Sequence, residues 1–233
     1  MRLRTSPRLL IAGLAALSLG CEGKTSGFLV TGPTSNVRVR LVNALTSSQS
    51  LDLLVDNQAA ASGVGFGSAS QYATTSEGSH QLTARATGTG TNLVDFTRSL
   101  TNGSFSFVPA PGLGQSGALF LTDDPTSTAG QSRLRVIHVA AAPGAISVYV
   151  TAPTADLTSA TPVVPSLSFA SASPYVGVTA GTYRIRITRA GSPSDVLVDL
   201  SNTTLGGGTV KTLLVTDASG GGLPPVVSVI ADN

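Results

Sequence analysis

Through most of this 233-residue chain, apolar and polar residues alternate with a period of two. Leu51-Asp52-Leu53-Leu54-Val55 places Leu51, Leu53 and Val55 on one face, and Ile146-Ser147-Val148-Tyr149-Val150 does the same with Ile146, Val148 and Val150. The clearest run is Tyr183-Arg184-Ile185-Arg186-Ile187-Thr188, with Tyr183, Ile185 and Ile187 expected inward and Arg184, Arg186 and Thr188 outward. A period of two is the signature of half-buried strands. His80-Gln81-Leu82-Thr83-Ala84-Arg85 keeps the pattern with weaker hydrophobes, and a glycine, Gly78 or Gly181, precedes each of these two runs. Gly, Pro, Asn and Asp recur between the runs, and no helical period is sustained outside the N-terminus. Each half of the chain predicts about seven or eight short strands, the pattern of an antiparallel β-sandwich. The lack of crossover helices excludes a parallel α/β architecture.

The runs also repeat. Phe66-Gly67-Ser68-Ala69-Ser70-Gln71-Tyr72 recurs as Phe169-Ala170-Ser171-Ala172-Ser173-Pro174-Tyr175. Arg38-Val39-Arg40-Leu41-Val42 matches Arg133-Leu134-Arg135-Val136-Ile137, and Leu121-Thr122-Asp123-Asp124 matches Ile230-Ala231-Asp232-Asn233. Such self-similarity means tandem copies of one domain. The expected copies are residues 36–125 and 132–233, joined by a linker at 126–131 that holds no large apolar anchor. Copies near 100 residues can each bury a core.

The N-terminus reads as an address rather than as structure. Arg2, Arg4 and Arg8 precede the apolar run Leu9–Leu19, which is shorter than the roughly 20 residues a membrane span needs. Residues 1–20 are therefore expected to be a cleaved signal peptide. Cys21, the one cysteine of the chain, permits no intrachain disulfide. Its place after the apolar run resembles the lipobox of bacterial lipoproteins, whose cysteine is acylated. Gly20 fits that pattern, but Ser18 and Leu19 stand in reversed order. Lipidation at Cys21 with a tether over 21–35 is one reading; cleavage after Gly20 and plain secretion is the other.

Charge gives no sign of nucleic acid. The chain carries 14 Lys and Arg against 12 Asp and Glu. Three of those arginines leave with the signal, so residues 21–233 carry 11 basic against 12 acidic groups, and a basic footprint is missing.

Each copy resembles DUF4397, a family of unknown function found in bacterial envelope and secreted proteins. The second copy carries Arg135-Val136-Ile137-His138, Val148-Tyr149-Val150, the Phe169–Tyr175 run and Ala180-Gly181-Thr182-Tyr183 in the family's order. It departs at Ser147, where the family has Asp. The first copy keeps that acid as Asp52 but has Asn43 for the histidine and His80 for the later tyrosine. The resemblance implies an immunoglobulin-like sandwich, often in tandem, and no known chemistry.

Candidate chemistry is sparse. Gly112-Leu113-Gly114-Gln115-Ser116-Gly117 spells a dinucleotide fingerprint, but the prolines before it and the strand-like run after it make it a hairpin loop. Gly23-Lys24-Thr25 lacks the upstream glycine of a phosphate-binding loop. His80 and His138 sit at non-equivalent positions, and zinc would need three or four ligands. Asp123, Asp124 and Asp217 read as solvated turn residues, since calcium needs six to eight oxygens. A triad through His138 would lack a nucleophile elbow. No metal, cofactor or enzymatic activity is expected. The remaining candidates are outward arginines. Arg133, Arg135, Arg184 and Arg186, with Arg38 and Arg40, would form a cationic stripe if they shared a face, and His138 is expected beside them. The expected protein is a non-enzymatic envelope lipoprotein. It would be anchored to a membrane through its lipid, the outer membrane in a Gram-negative source, and meet an envelope glycan or protein. The alternative is a secreted carbohydrate-binding or adhesion module.

Overall fold

A computed structural model of the chain describes residues 37–47, 49–113 and 117–233. Cys21 and the segments expected to be a signal peptide and tether lie outside them. The first half supplies β1 (Val37–Leu41), β2 (Leu51–Val55), β3 (Gln58–Val64), β4 (Ala73–Thr75), β5 (Gly78–Ala86), β6 (Asn92–Leu100), β7 (Gly103–Pro109) and β8 (Ala118–Asp123). The second half supplies β9 (Gln131–Val139), β10 (Ile146–Thr151), β11 (Val164–Leu167), β12 (Ser171–Ala172) and β13 (Val176–Thr179). It ends with β14 (Gly181–Arg189), β15 (Val196–Leu205), β16 (Val210–Thr216) and β17 (Val226–Ala231). No helix occurs among the described residues.

The strands form four sheets, two per copy. In the first copy the orders are β4-β1-β7-β8 and β3-β2-β5-β6; in the second, β12-β9-β16-β17, with β13 also on β9, and β11-β10-β14-β15. Pairing is antiparallel except at one place in each copy, where β1 runs parallel to β7 and β9 parallel to β16. Parallel neighbours need a long connection. Here the rest of the copy supplies it, carrying the chain through the other sheet and back.

Alternation then sorts the side chains. Val37, Val39 and Leu41 of β1 and Phe105 and Phe107 of β7 pack with Leu51, Leu53 and Leu82 from the opposing sheet. In the second copy, Leu134, Val136, Leu213 and Val215 meet Ile146, Val148, Ile185 and Ile187. These are the two sandwich cores, built from the alternate positions the sequence marks as apolar.

The other face of the inner sheets is not wet. Val42, Ala44, Val108 and Ala110 of the first copy form a third cluster with Ile137, Val139, Leu214 and Ile230 of the second. The copies therefore meet inner sheet to inner sheet, and β1, β7, β9 and β16 are covered on both sides. The described residues accordingly form one compact unit.

Candidate functional site

The seam between the copies holds a buried cluster of two arginines and two aspartates. Arg40 and Arg135 do point away from their sandwich cores, as alternation demands, but into the seam rather than into solvent: they are 1% and 2% exposed. Each finds its acid in the other copy. Arg40 Nη2 donates to Asp232 Oδ1 at 2.7 Å. Arg135 Nη1 lies 2.8 Å from Asp123 Oδ1, a contact set by charge rather than by hydrogen-bond alignment. Longer contacts close the square, from Arg40 to Asp123 at 3.5 Å and from Arg135 to Asp232 at 3.7 Å.

Hydroxyls complete the shell. Asp123 Oδ2 accepts from Ser106 at 2.6 Å and Tyr72 at 2.7 Å; Asp232 Oδ2 accepts from Thr212 at 2.7 Å and Tyr175 at 2.8 Å. The two tyrosine rings carry the guanidinium groups, Arg40 at 4.8 Å over Tyr72 and Arg135 at 4.7 Å over Tyr175. Two cations, two anions and four hydroxyls thus form a neutral, nearly saturated cluster. Burial works against the Arg40 charge, but Asp232, Tyr72 and Asp123 outweigh it and hold the guanidinium above its ordinary value. Burial first, then Asp123, pushes the Tyr72 phenol far up, and burial with Asp232 does the same for Tyr175. Both phenols stay protonated and donate. Buried charges survive only when paired and hydrogen-bonded in this way.

The Phe-x-Ser-Ala-Ser-x-Tyr repeat positions these rings. Ser70 Oγ accepts from the Leu41 amide and donates to the Gln71 carbonyl; Ser173 Oγ accepts from Val136 N–H and donates to the Pro174 carbonyl. The serines are bend locks, not nucleophiles.

The other expected site residues fall elsewhere. Arg184 and Arg186 lie on β14 of the outer sheet, so they share no face with Arg133 and Arg135 of β9. Arg184 pairs with Asp199, its Nε 2.9 Å from Oδ1. Arg186, expected outward, is 6% exposed, and its Nη2 donates to Thr151 Oγ1 and the Ala155 carbonyl. The long β10–β11 connection folds over it, where the first copy has only the Asp56-Asn57 turn. His138 is likewise fully buried rather than on an outer face: β12 pairs across it and Phe169 meets it edge-on. Its Nε2 donates to the Gly144 carbonyl at 2.7 Å and its Nδ1 has no partner. Burial lowers its pKa, against weaker raising by Gly144 and Asp217. Asn43, its repeat mate, makes the equivalent bond to the Gln49 carbonyl, also six residues ahead.

Of the three acids expected in solvated turns, two are buried. Asp123 belongs to the cluster, and Asp217 accepts from the Ala141 and Ala142 amides. Asp124 stays exposed, and hydrogen bonds from Arg133 and Thr126 hold its carboxyl well below the usual range.

His80 has neighbours of a triad type, with Nδ1 2.6 Å from Asp56 Oδ2 and Nε2 3.5 Å from Ser76 Oγ. However, Nε2 lies nearer the Ser76 carbonyl, at 3.0 Å, than the Ser76 hydroxyl, so the ring is not aimed at the serine as a general base would be. Tyr183, its repeat mate, donates to the Thr179 carbonyl in the same way. Both residues are struts. Among the described residues no three or more His, Cys, Asp or Glu gather as a metal site.

Beside the cluster, the seam opens into a cleft of about 660 Å³. It is lined by the Gly67–Tyr72 bend, Arg38, Arg40 and the Val229–Asn233 end of the second copy.

Residues 37–149 match the model of a family described as a domain of unknown function, DUF4397. The match starts at the first residue of β1, takes in the first copy and reaches β10, and it supports membership of that family. No curated protein matches the chain. Among solved structures, a family 26 carbohydrate-binding module of Eubacterium rectale Amy13K, in complex with maltoheptaose, is 10% identical over 82% of this chain and 95% of that one, with a TM-score of 0.28. A candidate cell adhesion protein from Bacteroides fragilis is 10% identical over 85% of this chain and 98% of that one, with a TM-score of 0.21.

Proposed function

We propose that this protein is an exported, non-enzymatic component of the bacterial envelope, held to a membrane by lipid on Cys21, that presents two locked β-sandwich modules as one unit. The observation that carries the reading is the seam. The polar residues the two copies share, Arg40/Arg135, Tyr72/Tyr175 and Asp123/Asp232, are consumed in holding the copies together. A duplicated chain whose common polar chemistry is structural has the character of a scaffold or display unit. Stable anchoring takes more than one acyl chain, as lipoprotein modification supplies.

The test is made in cells of a Gram-negative host grown with a clickable palmitate analogue. The full chain is expected to take up label and sediment with membranes, and Cys21→Ser to lose both. A wild-type chain that is unlabelled and appears in the soluble fraction would return the assignment to a secreted module.

A further inference from the structure

We propose that the open end of the seam binds a small ligand with an oxyanion, carboxylate or phosphate, on a hydroxyl-rich body. The site is independent of the lipid anchor.

The argument is an asymmetry between two equivalent arginines. At one end of the seam Arg133 lies over Tyr175 at 5.0 Å. There its charge is quenched and roofed by the inter-copy connection: Nη2 meets Asp124 Oδ2 at 2.7 Å and Nη1 donates to the Thr126 carbonyl at 2.6 Å. At the other end Arg38 lies over Tyr72 at 5.1 Å, and its Nε donates to Ser104 Oγ at 3.1 Å. Among the described residues no carboxylate comes within ion-pair reach of it. The repeat explains why. Where the first copy has Asp124, the second has Asn233, a neutral residue turned away to bond β16. Its Oδ1 accepts from the Val210 amide at 3.0 Å and its Nδ2 donates to the Gly208 carbonyl at 2.9 Å.

An exposed guanidinium is thus left at the mouth of the 660 Å³ cleft, a volume within the roughly 300–1,000 Å³ of small-molecule sites. Stacking on Tyr72 and the bond to Ser104 fix the guanidinium plane and leave its Nη edge open, the fork that receives carboxylate or phosphate in bidentate fashion. The rest of the lining brings the polar side chains of Ser68 and Gln71 in the bend to the same mouth, partners for hydroxyls. Arg40 beneath is neutralised by Asp232, so Arg38 supplies the attraction alone.

The test is calorimetric titration of the full chain, purified in detergent at low ionic strength, with trigalacturonate, glucose 6-phosphate and neutral maltotriose. At least one charged probe is expected to bind and maltotriose not to; whichever charged probe binds names the oxyanion. Arg38→Gln should weaken that binding at least tenfold. Asn233→Asp, which offers Arg38 at this end the carboxylate that Arg133 finds in Asp124, should do the same, with a cooperative thermal melt showing that the variant is folded. Arg133→Gln should leave binding as it was. Silence with both charged probes, maltotriose binding as well as they do, or indifference to Arg38→Gln and Asn233→Asp each overturns the proposal.

Discussion

At the scale of single residues, the two copies reveal which polar groups the fold requires and why some differ. Asp52 accepts from the Gly63 amide across the β2–β3 pair; its mate Ser147 instead donates to the carbonyl of Pro165 at 2.7 Å. The second copy turns a carbonyl rather than an N–H towards this side chain, so it needs a donor there. Ser147→Asp would oppose carboxylate to carbonyl in a buried position and is expected to lose about 1–3 kcal/mol or more, read by urea unfolding. His138 controls a separate property. Its folded pKa lies below the unfolded value near 6.5, so below that pH the unfolded chain binds a proton that the folded chain refuses. Its stability contribution is complete above about pH 6.5 and is lost as pH falls towards the folded value. Asp217, the charge felt by the ring, resists only part of this. Denaturant midpoints between pH 7 and 5 should therefore decline for the wild type and flatten for His138→Gln; equal slopes would reject the role. The depressed carboxyls, Asp124 and Asp199 among them, act lower, from about pH 5 downward.

Among the elements, strands with one covered face were legible and strands with two were only half so. β2, β10 and β14 show their inward residues in the sequence because their other sides meet solvent or loops. β1 and β9 also alternate, but Arg40 and Arg135 on their second face look like solvent charges, since nothing local signals that another copy covers them. The signal that existed was the repeat itself: Arg, Tyr and Asp recur at matching places, whereas solvent charges have no reason to. Arg186 was illegible for a different cause, the folding back of a loop without periodicity. The bend before each tyrosine repeats the lesson. Gly67 and its mate Ala170 both have left-handed backbones, at φ 71° and 60°. Ala170 bears a strain of about 1–2 kcal/mol, so Ala170→Gly should hold stability level or raise it by up to about 1 kcal/mol. A Cβ on Gly67 would clash with Ser228 Oγ, so Gly67→Ala is expected to destabilise, with partial rescue by Ser228→Ala. Thermal melts of the variants decide both.

For the whole molecule, the exchanged ion pairs make the two copies one thermodynamic object. Removing one member of a buried pair leaves its partner charged and unmet, which costs about 3–5 kcal/mol. Asp123→Asn and Asp232→Asn should each lower stability by that order, and by similar amounts, because each carboxylate serves both copies. Calorimetry should show a single unfolding transition for the wild type and a broadened or split one for either variant. Two resolved transitions in the unmutated chain would mean the seam does not couple the copies. When Arg40 reaches across to Asp232 and Arg135 reaches back to Asp123, the contacts have the reciprocity of two identical subunits meeting on one patch. A single copy cut free would bare an oily sheet face and an unanswered Arg–Asp pair, and would answer both by meeting its own twin. The chain thus carries within one polypeptide the reciprocal contact pattern of a homodimer, broken at one end of the boundary, where Asn233 stands opposite the place of Asp124.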